Sequence, residues 1–225
     1  TMIPQAKNEL RRMANMAQEN LDHAIHGFLN QSNEFVDKVY HREEDINNVS
    51  HAITDYLVKS NQLSLPLADQ KILGSMFYVV NDIERIGDHA ENFADYTKTE
   101  IKHNTGLTGD AKEEIKKMYT AVSKLLKLSL ECFMEQDGVN KPEDKLAEIA
   151  ILEASIDKME RRYQKHHIKR LAKGECEPRA GLLFSDMLSE LERIADHSVN
   201  IAYSMSDEDE DEILAAENEA LTAKN

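Results

Sequence analysis

A chain of 225 residues, 41% of them hydrophobic, can bury one large core or two modest ones. Eight Gly, four Pro and no Trp, set among many Leu, Ala, Glu, Lys and Met, exclude a turn-rich all-β protein and point to an all-α fold. The formal net charge of −15 and pI near 5.0 set the summed field against nucleic acid phosphates and anionic lipid surfaces, so cations are the natural partners.

In chain order, Leu10, Met13, Ala17, Leu21, Ala24, Ile25 and Phe28 recur at helical spacing and predict a first helix over residues 4–30. Ser32 or Asn33 is the expected cap of a second helix, which carries Val36, Val39, Ile46, Ile53 and Leu57 to about residue 59. Ser64 and Pro66 then suit the start of a third helix over about 67–99. Asn104, Gly106 and Gly109 mark the clearest interruption, and the halves divide there.

Thr108 or Asp110 is the expected cap of a fourth helix, with Ile115, Met118, Val122, Leu125, Leu126 and Phe133 on its apolar stripe. A loop over residues 136–142 leads to a fifth helix over 143–172, which Gly174 can close. A sixth begins after Pro178 and runs to about residue 205. Six consecutive acids at 207–212 repel one another, so residues 206–225 are expected to be a disordered acidic tail. The expected organisation is a three-helix repeat over 1–103 and a second over 104–205, a tandem pseudo-symmetric pair of three-helix bundles.

One acidic phrase occurs twice. It reads Asp82-Ile83-Glu84-Arg85-Ile86-Gly87-Asp88-His89 on the third predicted helix and Glu190-Leu191-Glu192-Arg193-Ile194-Ala195-Asp196-His197 on the sixth. Glu84 and Glu192, Asp88 and Asp196, and the following Asn92 and Asn200 are each 108 positions apart. Carboxylates four residues apart lie on one helix face, here beside the apolar stripes Ile83, Ile86, Ala90 and Leu191, Ile194, Val199. Negative charge at such a boundary is costly unless a cation neutralises it, and bundle proteins collect carboxylate oxygens for metals from several helices. Glu43 and Asn47 on the second helix, and Glu153 and Asp157 on the fifth, are the supporting candidates, each pair again four apart.

His89 and His197 follow the acid by one residue, about 100° around the helix, and are expected to flank the site. His23, His26, His166 and His167 have no matched partner. Cys132 and Cys176 form no framework and read as apolar fillers in a reducing compartment. No run reaches the ~18–20 apolar residues of a membrane span. There is also no phosphate-binding glycine loop, zinc framework or nucleophile elbow. Three readings stay open on residues alone: a metal-binding regulator, a structural helical adaptor without metal, and a carboxylate-bridged metal enzyme. The last lacks repeated Glu-x-x-His pairs, Glu100 to His103 being the one instance.

The doubled phrase closely resembles the PhoU family, which has two three-helix repeats with an acidic phrase on each third helix, and the resemblance covers about residues 5–205. It implies a non-enzymatic cytoplasmic regulator of phosphate uptake and phosphate signalling, with multinuclear iron or zinc clusters on the acidic phrases. By that correspondence Glu84, Asp88, Glu192 and Asp196 are the metal ligands, with Asn92, Asn200, Glu43, Asn47, Glu153 and Asp157 in support. The implied partners are a membrane phosphate transporter, in cis or in trans, phosphate-signalling proteins and a second copy of the chain. The stretch Ser64-Leu65-Pro66-Leu67-Ala68-Asp69-Gln70-Lys71 departs from the Gln-Pro-x-x-x-Asp-Leu-Arg of free-standing regulators. With the Tyr56-Leu57 region and the opening Thr1-Met2-Ile3-Pro4 it is more similar to a PhoU-like domain fused behind sodium/phosphate cotransporter membrane segments.

Overall fold

The computed structural model describes residues 2–137 and 139–205, so the expected tail lies outside it. The described residues form six helices and no strand: α1 Met2–Leu29, α2 Val36–Asn61, α3 Leu67–His103, α4 Gly109–Glu135, α5 Glu143–Ala172 and α6 Pro178–Ala202. None of these six helices is long and apolar enough to cross a membrane.

Local chemistry sets the helix ends. The Thr108 hydroxyl accepts the Ala111 N–H at 3.1 Å and caps α4, while Pro178 opens α6 where no N–H is needed. Gly174 takes φ 69° at the end of α5, where the Glu175 N–H donates to Arg170 O at 2.9 Å and the Gly174 N–H to Leu171 O at 3.1 Å.

Two ends differ from the sequence expectation. Neither Ser32 nor Asn33 caps α2. The Ser32 N–H closes α1 on Gly27 O at 2.9 Å, with Gln31 at φ 50°, and its hydroxyl takes the Glu34 N–H, so α2 starts behind Phe35 without a side-chain cap. α3 also runs on to His103, where Asn104 at φ 43° donates its N–H to Glu100 O and ends the helix.

α1, α2 and α3 pack on one another, as do α4, α5 and α6, and the two bundles meet along α3 with α6 and α1 with α4. Phe28 and Phe93 in the first bundle and Phe133 and Phe184 in the second are fully buried in one continuous core. Burying side chains of this size contributes about 1.5–3 kcal/mol each. α3 and α6 therefore each have one side toward their own bundle and another toward the opposite bundle. This arrangement divides the acidic phrases between two tasks.

Candidate metal centre

On α3 the side toward α2 carries Glu84, Asp88 and Glu91. Carboxylate oxygens of Glu43, Asp88 and Glu91 lie within 4.8 Å of one another, the spacing at which a single cation can be shared. Glu43, from α2, is only 3% exposed, and no donor group reaches either of its oxygens. Burial first, then the charge of Asp88 and a hydrogen bond shared with it, then the charges of Glu91 and Glu84, push its carboxyl up to about 8. Burial, followed by the charges of Asp95 and Asp88, also raises Glu91. Asn47, one turn after Glu43, has a buried Oδ1 without a partner, and Ser50 donates its hydroxyl to Glu84 Oε2 at 3.1 Å. An orphaned carboxylate among other carboxylates fits a cation that supplies the missing positive charge.

The absent side chain of Gly87 makes room for Glu43. A Cβ at that position would stand 2.9 Å from Glu43 Oε2 and 3.0 Å from Oε1. Gly87→Ala is therefore expected to displace the carboxylate and weaken cation binding at this face by about tenfold. Metal-free stability should hold steady or rise, because Ala is favoured over Gly by about 1 kcal/mol inside a helix. Calorimetric titration with metal, alongside melting of the metal-free variant, checks both parts. Unchanged affinity would show that the carboxylate does not need this position.

The second face follows the first without copying it. Burial and then the charge of Asp196 raise the Glu192 carboxyl, and burial and then the charge of Glu192 raise that of Glu160 on α5. Glu153, Asp157 and Glu160 share one stripe of α5, all of them half-buried. Glu160 stands where the first half has Ser50, and Glu91 stands where the second has Val199. Each half thus adds a carboxylate that the other lacks.

Two predicted supporting residues lie elsewhere. Asn200 is exposed on α6, and Asn92 donates to Glu190 at 3.2 and 3.3 Å across the contact between bundles. Helix angle explains why Glu91 stands in the place expected of Asn92. Seven residues after Glu84 the chain returns to within about 20° of it, whereas eight residues leave it about 80° away, toward α6. Counting in sevens would have found both, since Glu91 follows Glu84 and Glu160 follows Glu153 by seven residues, although neither recurs in the other half.

The outer residues of the duplicated phrase clasp the two bundles together. The buried His89 ring is hydrogen-bonded to Glu190, and His197 Nδ1 lies 3.1 Å from Asp82 Oδ1, so each histidine meets the leading acid of the opposite copy. The two rings lie 5.8 Å apart, and the Tyr96 hydroxyl also donates to Glu190 at 3.3 Å. Burial acts to raise Glu190, but hydrogen bonds from His89 and Asn92 and the charges of His89 and Arg193 outweigh it and hold the carboxyl below its ordinary value. Of the other histidines, His26 bonds Asp22 O at 2.8 Å and His23 stacks on Phe35. His166 bonds Glu114 Oε2 at 2.5 Å, and His167 is buried beside Phe184.

Two tandem helical bundles clasped along their third helices, with a convergent carboxylate face on the first, define an all-α carboxylate-site protein. The family model described as the PhoU domain matches residues 10–97 and 115–205. The chain belongs to the PhoU family. It is 22% identical over 204 residues to the phosphate-specific transport system accessory protein PhoU homolog of Clostridium acetobutylicum, covering 90% of each chain. A PhoU homolog of the same description from Synechocystis is 25% identical over 210 residues, with 91% of this chain and 88% of that protein covered. The crystal structure of PhoU from Pseudomonas aeruginosa superposes with a TM-score of 0.80 at 20% identity, over 91% of this chain and 95% of that one.

Proposed function

We propose that this protein is a non-catalytic accessory regulator of phosphate transport whose acidic faces hold metal. Glu43 carries the reading: a buried carboxyl that no donor group reaches, facing Asp88 and Glu91, offers a cation the place that a proton holds in the metal-free protein. Glu43, Asp88 and Glu91, with Glu84 and Asn47 beside them, would hold a cation on the first face. Glu192 and Asp196, with Glu153, Asp157 and Glu160, would do so on the second. Iron and zinc both accept such oxygen-rich sets, and several carboxylates can bridge more than one ion. The metal would neutralise the faces and fix α2 against α3 and α5 against α6. That would link metal loading to the surface offered to a membrane phosphate transporter or a phosphate-signalling protein.

The curated relatives named for phosphate transport match over nearly their whole length, which supports an accessory role in that transport. Attachment behind cotransporter membrane segments is the alternative arrangement. Membrane-spanning segments encoded upstream in the same gene would establish it.

Elemental analysis of protein purified without chelator tests the metal. The expected result is bound iron or zinc that falls in Glu43→Gln/Asp88→Asn and again in Glu192→Gln/Asp196→Asn. Undiminished stoichiometric metal in the combined variant would remove these residues from the site.

A further inference from the structure

α5 carries a feature unrelated to the acidic faces. Residues 158–173 hold seven Lys and Arg against the single Glu160, a net +6 in a chain of −15, which leaves −21 on everything else. Arg170 is buried against Glu114, whereas Lys158, Arg161, Arg162, Lys165, Lys169 and Lys173 are all exposed, and none of these six has an ion-pair partner among the described residues. At 100° per residue they fall within an arc of about 120° and run about 22 Å along the helix. This arc points away from the protein, since α5 packs only on α4 and α6.

The stripe serves no need of the repeat. The corresponding positions 110 residues earlier, on α2 and just beyond its end, are Asn48, His51, Ala52, Asp55, Lys59 and Leu63, which show no such charge. Packing gives no reason for it either, since six like charges along one face repel one another. The following acids, Glu175 and Glu177, come after the helix has ended. At the edge of the stripe Ile168 is 63% exposed, an apolar side chain among cations.

We infer that this face of α5 docks on an anionic phospholipid surface. A convex row of Lys and Arg with an exposed aliphatic side chain suits a plane of phosphate headgroups, where each cation within reach adds to binding. The net charge, read from the sequence as repelling such a surface, does not prevent contact. Charge farther from the stripe than the Debye length, about 8 Å at physiological ionic strength, is largely screened there. Docked in this way, α5 would hold the second bundle against the membrane. That a membrane is at hand rests on the proposed transport role, but the test below uses neither metal nor transporter, so the two readings fail separately.

The experiment is sedimentation of the full chain with vesicles of phosphatidylcholine containing phosphatidylglycerol, compared with pure phosphatidylcholine, at low and physiological salt. Binding is expected to the anionic vesicles alone and to weaken with salt. Each cation contributes about fivefold. Arg162→Gln/Lys165→Gln/Lys169→Gln/Lys173→Gln should therefore weaken binding by on the order of several hundredfold. Removing four exposed cations from α4, as Lys116→Gln/Lys117→Gln/Lys124→Gln/Lys127→Gln, should leave it within about twofold.

Equal losses in the two variants, equal binding to neutral vesicles, or no binding to anionic vesicles would overturn the assignment. Tighter binding to duplex DNA or RNA than to vesicles would do the same. So would vesicle binding that emerges only after the acids at 207–212 are replaced by Asn and Gln, which would give the stripe to the chain's own acidic run.

Discussion

Glu43→Gln is expected to raise the melting temperature of the metal-free protein by several degrees at pH 8 while leaving it unchanged near pH 4. The glutamate carboxyl has an ordinary value of 4.5, and in the folded metal-free protein it rises to about 8, through burial, then the charge of Asp88 and a hydrogen bond shared with it, then the charges of Glu91 and Glu84. Between those values the folded state keeps a proton that the unfolded state has released, so stability falls as pH rises across that window. Below it both states are protonated, and the penalty vanishes. Over the full window the penalty is on the order of a few kcal/mol, a large share of a typical folding free energy.

Glutamine has nearly the same shape and carries no charge at any pH, so it should flatten most of the slope. Glu91, Glu160 and Glu192 are raised in the same direction and should retain a part of it. Metal should reverse the order of stability. A cation replaces the proton at Glu43, so it should bind more tightly as pH approaches 8 and stabilise the native protein more than the variant. Melting curves across pH 4–8, with chelator and with added metal, check both halves. A variant that keeps the native pH slope would show that Glu43 is not the group that holds the proton.

Arg170→Met should cost about 3 kcal/mol, or roughly 6–12 °C in melting temperature for a chain of this size. The Arg170 guanidinium lies 2.7 Å from Glu114 Oε1 and 5.2 Å from the Phe184 ring, with both side chains about a tenth exposed. Removing the cation leaves Glu114 buried with His166 as its remaining partner, and His166 is 44% exposed. An uncompensated buried charge is the costly state, so the double replacement Glu114→Leu/Arg170→Met should recover most of the loss. A double variant no more stable than Arg170→Met would show that the cost comes from lost packing on Phe184. Metal content and vesicle binding should be unaffected, because Arg170 belongs to neither surface.

Much of this fold was legible as periodicity. The stripes of Leu10, Met13 and Leu21 or of Ile115, Val122 and Leu126 need only a 3.6-residue period to be read, and Thr108, Gly174 and Pro178 act locally at their helix ends. The cap of α2 was not legible, because Ser32 is occupied by the closing turn of α1, a competition that depends on both neighbours at once.

The doubled phrase behaves in the same way. Its offset of 108 residues marked both acidic faces and matched histidines, and the helical period placed acid and histidine about 100° apart. What each side of the helix touches is set by packing. Because α3 lies between α2 and α6, Asp88 and Glu91 meet Glu43 while Asn92 and His89 meet Glu190. Spacing along a helix fixes the angles between side chains but not which neighbouring helix lies at each angle. The sequence by itself therefore determined six helices, two repeats and a carboxylate stripe. Only the tertiary structure decided which acids converge as a candidate site and which hold the two bundles together.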